Sequence, residues 1–479
     1  MVGRFLNYLL VYVHTRAFMP AQYGIVTEMY AYVAFLIILF TYGMETAYFR
    51  ASTLDDEHAP KAYGTALLSL ILTSTLFIGL ASMFAQPIAD LLRYPNNQEY
   101  VIWFALIVGL DAISTIPMAR LRQESRSVKF VMVNLGNVGI NVLLNLFWLV
   151  YCKQNFEAGD TNWLIDTFYN PEIGVGYVFI ANLFASAFKF LLLTPMFRGV
   201  SLKIDRVQMK RMLIYGSPLL IAGLAGIMNE TLDRILLKWI LIPLHGEEYA
   251  MTQVGIYGAC YKLSIIIMLF LQAFRYAAEP FFFSHEKEKG SRDTYSQIMT
   301  YFVVVCMSIF LMVTLYLDLF KYFIAQEEYW VGLDVVPILL LANVFLGIYY
   351  NQSVWYKLSG KTRFGAYIAL VGATITVVMN FYLIPRIGYM GSAWATLACY
   401  FTMMLLSFIW GKKHYPIPYN IPRVLTYIFL GLVIFAIHTI LPDFGTVINF
   451  FVSALLLGVF LLIFVLLEKP ASLFAKKID

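Results

Sequence analysis

Charge is what this chain has least of. Asp, Glu, Lys and Arg make up 13% of its 479 residues, while 60% are hydrophobic. A soluble domain is about a quarter charged and about half apolar. The shortfall excludes a soluble enzyme, a disordered scaffold and a nucleic-acid binder, because so much apolar surface has no ordinary core to fill. Cysteine is scarce too. Cys152, Cys260, Cys306 and Cys399 are scattered, three of them inside apolar runs. They make neither a metal spacing nor a disulfide framework and read as small packing residues. The six histidines form no His-Glu-x-x-His motif, and no serine or cysteine has a base at a fixed spacing. Gly360-Lys361-Thr362 ends like a P-loop, but the first glycine of that motif would fall at Trp355, between two apolar runs. Nucleotide binding is therefore not expected there. Neither enzymatic activity, a cofactor nor a metal is expected. Active transport would draw on an ion gradient, the membrane potential or the substrate's own gradient. No cleavable signal peptide is legible, so the first apolar run is expected to act as its own insertion signal.

Long apolar runs are what the chain does have. A bilayer crossing needs about 20 mostly apolar residues. Segments 1–17, 22–48, 63–86, 99–119, 129–151, 175–197, 212–241, 252–283, 296–319, 332–356, 364–384, 390–410, 424–441 and 445–467 qualify, the first being short. The fold class is an all-α polytopic membrane protein of about 14 transmembrane helices. Lys and Arg number 23 in the even-numbered connections and tail, against Arg16, Arg93, Lys153, Lys321 and Arg386 in the odd-numbered ones. Basic loops stay in the cytoplasm, so both termini are expected there. The basic stretch 199–211 reads as an amphipathic interfacial helix, and the proline-rich stretch 414–422 as a stiff linker.

The two halves echo one another. Gly24-Ile25 opens the second span and Gly255-Ile256 the eighth; Leu121, Arg126, Gly136 and Asn145 recur in spacing as Leu358, Arg363, Gly372 and Asn380. A six-helix repeat keeps its membrane orientation and gives two parallel, pseudo-symmetric lobes around a central cavity. The expected domains are a six-helix lobe over 1–198, a linker over 199–211, a second six-helix lobe over 212–411, and two extra C-terminal helices with a basic tail over 412–479.

A charge at mid-bilayer costs about 2.5–3.5 kcal/mol on insertion scales, so each one needs a partner or a wet cavity. In the seventh span Gly223, Gly226, Glu230, Asp233, Arg234 and Lys238 fall on one helical face. That stripe reads either as the wall of a hydrated cleft or as a self-compensated set with Glu230 and Arg234 paired. In the eighth span Gln272, Arg275 and Glu279 share a face, and Arg275 and Glu279 can pair. Lys262 lies about 220° around the helix from Arg275 and should face a neighbouring helix unless the span bends. Glu28 and Lys262 occupy the outer halves of second helices, one in each lobe, where an approach across the lobes would join them. Asp111 stands alone in its span, either as a buried hydrogen-bonding group or as a proton or cation site. Lys189 is expected to snorkel toward the cytoplasm.

Tyr42-Gly43-Met44-Glu45-Thr46-Ala47-Tyr48-Phe49-Arg50, Asn229-Glu230-Thr231-Leu232-Asp233-Arg234, Phe274-Arg275-Tyr276-Ala277-Ala278-Glu279-Pro280 and Gly388-Tyr389-Met390-Gly391-Ser392-Ala393 resemble the polysaccharide-biosynthesis branch of the multidrug/oligosaccharidyl-lipid/polysaccharide exporter superfamily. The resemblance covers essentially the whole chain and is nearest to Wzx-type flippases. It implies fourteen helices in two six-helix lobes, residence in a bacterial cytoplasmic membrane, and an undecaprenyl-pyrophosphate-linked oligosaccharide turned from the inner to the outer leaflet. Related lipid II flippases line the cavity with basic residues of the first helix, and Gly3-Arg4-Phe5-Leu6-Asn7 resembles that stretch. Arg4, Arg234, Arg275 and Lys262 are the candidate headgroup ligands, since guanidinium forks suit a pyrophosphate. Asp111, Glu230, Asp233 and Glu279 are the candidates for proton or sodium coupling. Expected partners are the lipid-linked oligosaccharide, the bilayer and polymer-synthesis or export proteins. A drug or cation antiporter of the same superfamily, a lipid II flippase and a non-transporting scaffold remain open alternatives.

Overall fold

The computed structural model describes residues 2–54, 59–200, 203–286 and 288–468. Among them there is no strand. Thirteen helical stretches are long and apolar enough to cross a bilayer, and the 16-residue helix at the start, α1 (Val2–Ala17), precedes them. These match the fourteen runs read from the sequence. Packing divides the chain into two compact units, Met1–Gly255 and Ile256–Asp479. The division falls within the helix Glu247–Leu263.

In the first unit, α2 (Pro20–Thr41) and α3 (Met44–Leu54) form one apolar run broken by a turn. Gly43 sits at φ +75°, where a side chain would strain the backbone and where a Cβ would meet the Gly216 carbonyl oxygen at 2.7 Å. The glycine thus serves both the turn and a close helix approach. Then follow α4 (Ala59–Met83), α5 (Ala85–Leu91), α6 (Gln98–Gln123) and α7 (Ser127–Asn145). A π-helical stretch, Leu146–Cys152, joins α7 to α8 (Lys153–Ala158). The short α9 (Trp163–Phe168) precedes α10 (Gly176–Leu193).

The 40-residue α11 (Arg206–His245) begins where Asp205 accepts hydrogen bonds from the backbone N–H groups of Val207 and Gln208. That cap satisfies two of the helix's otherwise unpaired donors. Residues 206–211 are therefore the first turns of a spanning helix, which corrects the reading of 199–211 as a separate interfacial helix. The helix packs against α2, α3 and α4.

The eighth span is not continuous. Helix α12 (Glu247–Leu263) and α13 (Ile265–His285) are separated at Ser264. The Ser264 carbonyl accepts from the side-chain amide of Asn343 at 3.4 Å, and its hydroxyl bonds the Tyr261 carbonyl at 2.7 Å. A helix interruption of this kind needs such partners for the freed backbone groups. The rest of the second unit is α14 (Ser291–Leu315), α15 (Leu317–Phe320), α16 (Val335–Gln352), α17 (Val354–Leu358), α18 (Arg363–Ile387) and α19 (Tyr389–His414). The last pair, α20 (Ile421–Ile440) and α21 (Thr446–Glu468), packs on α14. It is tied there by Ser453 to the Leu315 carbonyl at 2.9 Å.

Candidate functional site

The charges inside the spans sort into three places. The first is dry. Glu28 of α2 and Lys238 of α11 are both 0% exposed and lie 2.9 Å apart. An ammonium has three donors to place. That of Lys238 points to the Glu28 carboxylate, to the Leu92 carbonyl at 2.8 Å, and over the Tyr94 ring at 4.1 Å from its centre. The Tyr94 hydroxyl donates to the same Glu28 oxygen. Burial, with the neighbouring carboxylate, holds the Tyr94 hydroxyl well above its usual pKa of 10.0, so it stays a donor. Next to the pair, Trp239 donates to the Tyr32 hydroxyl at 2.8 Å. Glu28 therefore pairs within the first unit with Lys238, and not with Lys262, which the sequence offers as one possible partner. One signal for this pairing was available. Glu28 lies eight residues in from the start of α2 and Lys238 seven before the end of α11. At 1.5 Å per residue both charges sit about 10–12 Å below the same face.

The stripe on α11 is divided by burial. Asp233 and Arg234 are buried beside Lys238, and Arg234 bonds the Asp233 carboxylate at 3.2 Å and the Glu230 backbone carbonyl. The Arg234 guanidinium thus meets the carbonyl of Glu230, not the expected i, i+4 carboxylate. Glu230 and Gly226 are exposed, and Gly223 is half-buried. A hydrated wall fits only this inner part of the stripe.

The second place is mid-span in the first unit. Asp111 of α6 accepts from Lys189 of α10 at 2.5 Å, with side-chain exposures of 26% and 16%. Asp111 is not alone, and Lys189 does not reach away to the membrane surface; both expectations are corrected. Lys189→Met is expected to leave a half-buried carboxylate unpaired and to cost stability at the low end of the about 3–5 kcal/mol typical of broken buried pairs. Pairing it with Asp111→Asn should recover most of the loss. The measurement is the melting temperature of each variant in detergent. Equal melting of the parent and the lysine variant would refute the pairing.

The third place is in the second unit. Glu279 accepts from Lys357 at 2.6 Å and lies 3.7 Å from Arg275, whose guanidinium covers the Tyr350 ring at 4.4 Å. Arg275 is 44% exposed at its side chain, so its outer edge can meet a ligand. Lys262, on α12 and half-buried, is separated from Arg275 by the break at Ser264. The side chain of Arg4 lies outside the described residues. Sequence reasoning singled out Arg275, Glu279, Arg234 and Asp233. It missed Lys357, Tyr350, Tyr94 and the partners of Glu28 and Asp111.

The fold has solved counterparts. The chain superposes on a structure of the lipid II flippase MurJ in an inward closed conformation with a TM-score of 0.72, at 14% identity and over 97% of both chains. An inward-facing multidrug resistance MATE family transporter of the MOP superfamily gives 0.67 at 13% identity, over 86% of this chain and 94% of that one. At these identities the likeness is one of fold. No curated protein sequence matches the chain. A family model described as polysaccharide biosynthesis protein matches residues 13–314. With well over half its length so matched, on the helical framework of the MOP-superfamily transporters, the chain belongs to the polysaccharide biosynthesis protein family.

Proposed function

We propose that this protein is a flippase for an undecaprenyl-pyrophosphate-linked oligosaccharide destined for a cell-surface polysaccharide. The observation that carries the reading is the family match, on a fold shared with a lipid II flippase. The headgroup enters from the cytoplasmic leaflet of the bacterial inner membrane while the polyprenyl tail stays in lipid. Two lobes, 1–198 and 212–411, rock around it, and both chain ends stay in the cytoplasm. Arg275, Lys262 and Arg4 meet the pyrophosphate. Arg234, held by Asp233, joins them only when that contact loosens. Asp111, Glu230, Asp233 and Glu279 set the protonation or sodium state that couples rocking to a gradient. A cation antiporter is less well supported, because the mid-span acid Asp111 already holds the ammonium of Lys189.

The test is reconstitution in liposomes with a fluorescent undecaprenyl-pyrophosphate oligosaccharide, with and without a proton or sodium gradient. Headgroup appearance on the far leaflet, faster with the gradient, is the expected result. Arg275→Gln combined with Lys262→Gln is expected to slow it about tenfold, a loss of about 1.4 kcal/mol in the barrier step. Unchanged flipping by that variant at normal protein level would remove these residues from the path. No flipping by the parent, with drug efflux instead, would select the antiporter.

A further inference from the structure

A pocket on the first unit holds two arginines that the account above leaves unused. It opens between α3 and α11 and has a volume of about 460 Å³. Arg50 lines it from α3 and Arg211 from α11, together with the alanines at 47 and 51 and Met212. Neither arginine takes part in an ion pair among the described residues. The acids close by are committed: Asp205 caps α11 and Glu45 pairs with Arg122. The Arg50 guanidinium carbon stands over the Tyr215 ring at 4.3 Å from its centre, a contact that helps to hold the side chain at the pocket. The third polar group is Gln208. Its side chain lines the pocket, the residue is only 6% exposed, and its carboxamide has no hydrogen-bond partner among the described residues. Its amide thus faces the pocket with both its donor and its acceptor uncommitted.

We infer that this pocket binds a phosphate or diphosphate headgroup. Two guanidinium groups lining one pocket can each meet a pair of the anion's oxygens, the contact that phosphates favour. The Gln208 amide donates a further bond. Lys210 and Arg206 beside it add positive field, and the positive end of α11 points the same way. Ile214 and Val207 are exposed next to the pocket, giving an attached prenyl or acyl chain an apolar way out. The turn at Gly43 and its close approach to Gly216 bring the two walls together. By the charge count of the loops this is the cytoplasmic face, so the pocket is a first capture point for a lipid-borne diphosphate before it reaches the Arg275 region. The inference rests on the flippase reading for the ligand's source only, and binding is read without any transport.

The experiment titrates the full-length protein in nanodiscs with inorganic diphosphate and, separately, with farnesyl diphosphate. Arg50→Gln with Arg211→Gln is expected to weaken binding at least tenfold. The paired lysine variant should weaken it several-fold, since it keeps charge but loses the forks. Gln208→Leu should weaken it several-fold with both arginines in place, which separates the site from general surface charge. Lys413→Gln, exposed at the end of α19 and outside both proposed sites, serves as the control and should leave this binding unchanged. Binding of farnesyl diphosphate alone would assign the pocket to a lipid-borne group, and binding of both to the headgroup itself. Unchanged affinity in a folded double glutamine variant, or no binding of either probe by the parent, would overturn the assignment. Flipping can fail while this binding stands, so the two results are read apart.

Discussion

Lys238→Met is expected to cost about 3–5 kcal/mol of stability, because it leaves the Glu28 carboxylate charged, buried and without its cation. Both partners are fully sealed, so no water can move in to replace the ammonium. The double variant Glu28→Gln, Lys238→Met should recover most of the loss. The amide carbonyl introduced at position 28 still accepts from Tyr94, and what remains is the Leu92 carbonyl without its donor, worth about 1 kcal/mol. Thermal unfolding in detergent with all four members of the cycle gives the coupling directly. Additive losses would show that the two side chains act independently and would discard the pair as a fastening. Both helices belong to the first packing unit, so the pair fastens α2 to α11, and the double variant should flip at a changed rate if that fastening opens in each cycle.

Gly255→Leu should give little or no folded protein. A Cβ at Gly255 would stand 1.8 Å from the Pro20 carbonyl oxygen, and one at Gly24 would stand 2.2 Å from that of Met251. Backbone meets backbone here, so no side chain can swing aside. Ordinary core overpacking costs about 1–3 kcal/mol; this crossing has to separate by a full atom's width, and every contact along α2 and α12 near it is lost. Gly24→Val should be nearly as damaging. Gly79→Ala, where nothing lies within 4 Å of the added methyl, should fold like the parent. The readout is the monodisperse fraction on size exclusion at equal expression. A well-behaved Gly255→Leu protein would mean that the two helices do not cross at these residues.

These two glycines also show how far the sequence reaches. Gly24-Ile25 and Gly255-Ile256 were legible as an echo between the two halves. That they touch was not legible, because an echo gives equivalence and says nothing of proximity. The spans were legible because each is a local property of about 20 residues. The charge partners were not: Lys189 and Asp111 are 78 residues apart, and Lys238 and Glu28 are 210 apart. Each was readable as a charge in need of a partner, and only the packing of helices names the partner. The same limit hid the Arg50 pocket, whose second wall, at Arg211, lies far along the chain on another helix. The breaks at Tyr42-Gly43 and Ser264 were missed for a different reason. Tyrosine, glycine and serine are ordinary inside membrane helices, and no proline marks either position.

The break at Ser264 makes α13 a lever. Its 21 residues extend about 30 Å at 1.5 Å per residue. A change of about 10° in the bend moves the far end by about 5 Å, and Arg275, ten residues along, by about 2–3 Å. Glu279 lies farther out still, so the 2.6 Å contact with Lys357 is severed by a rotation of only a few degrees. A small angular adjustment at one serine, held by one asparagine, is therefore enough to switch which cation Glu279 neutralises.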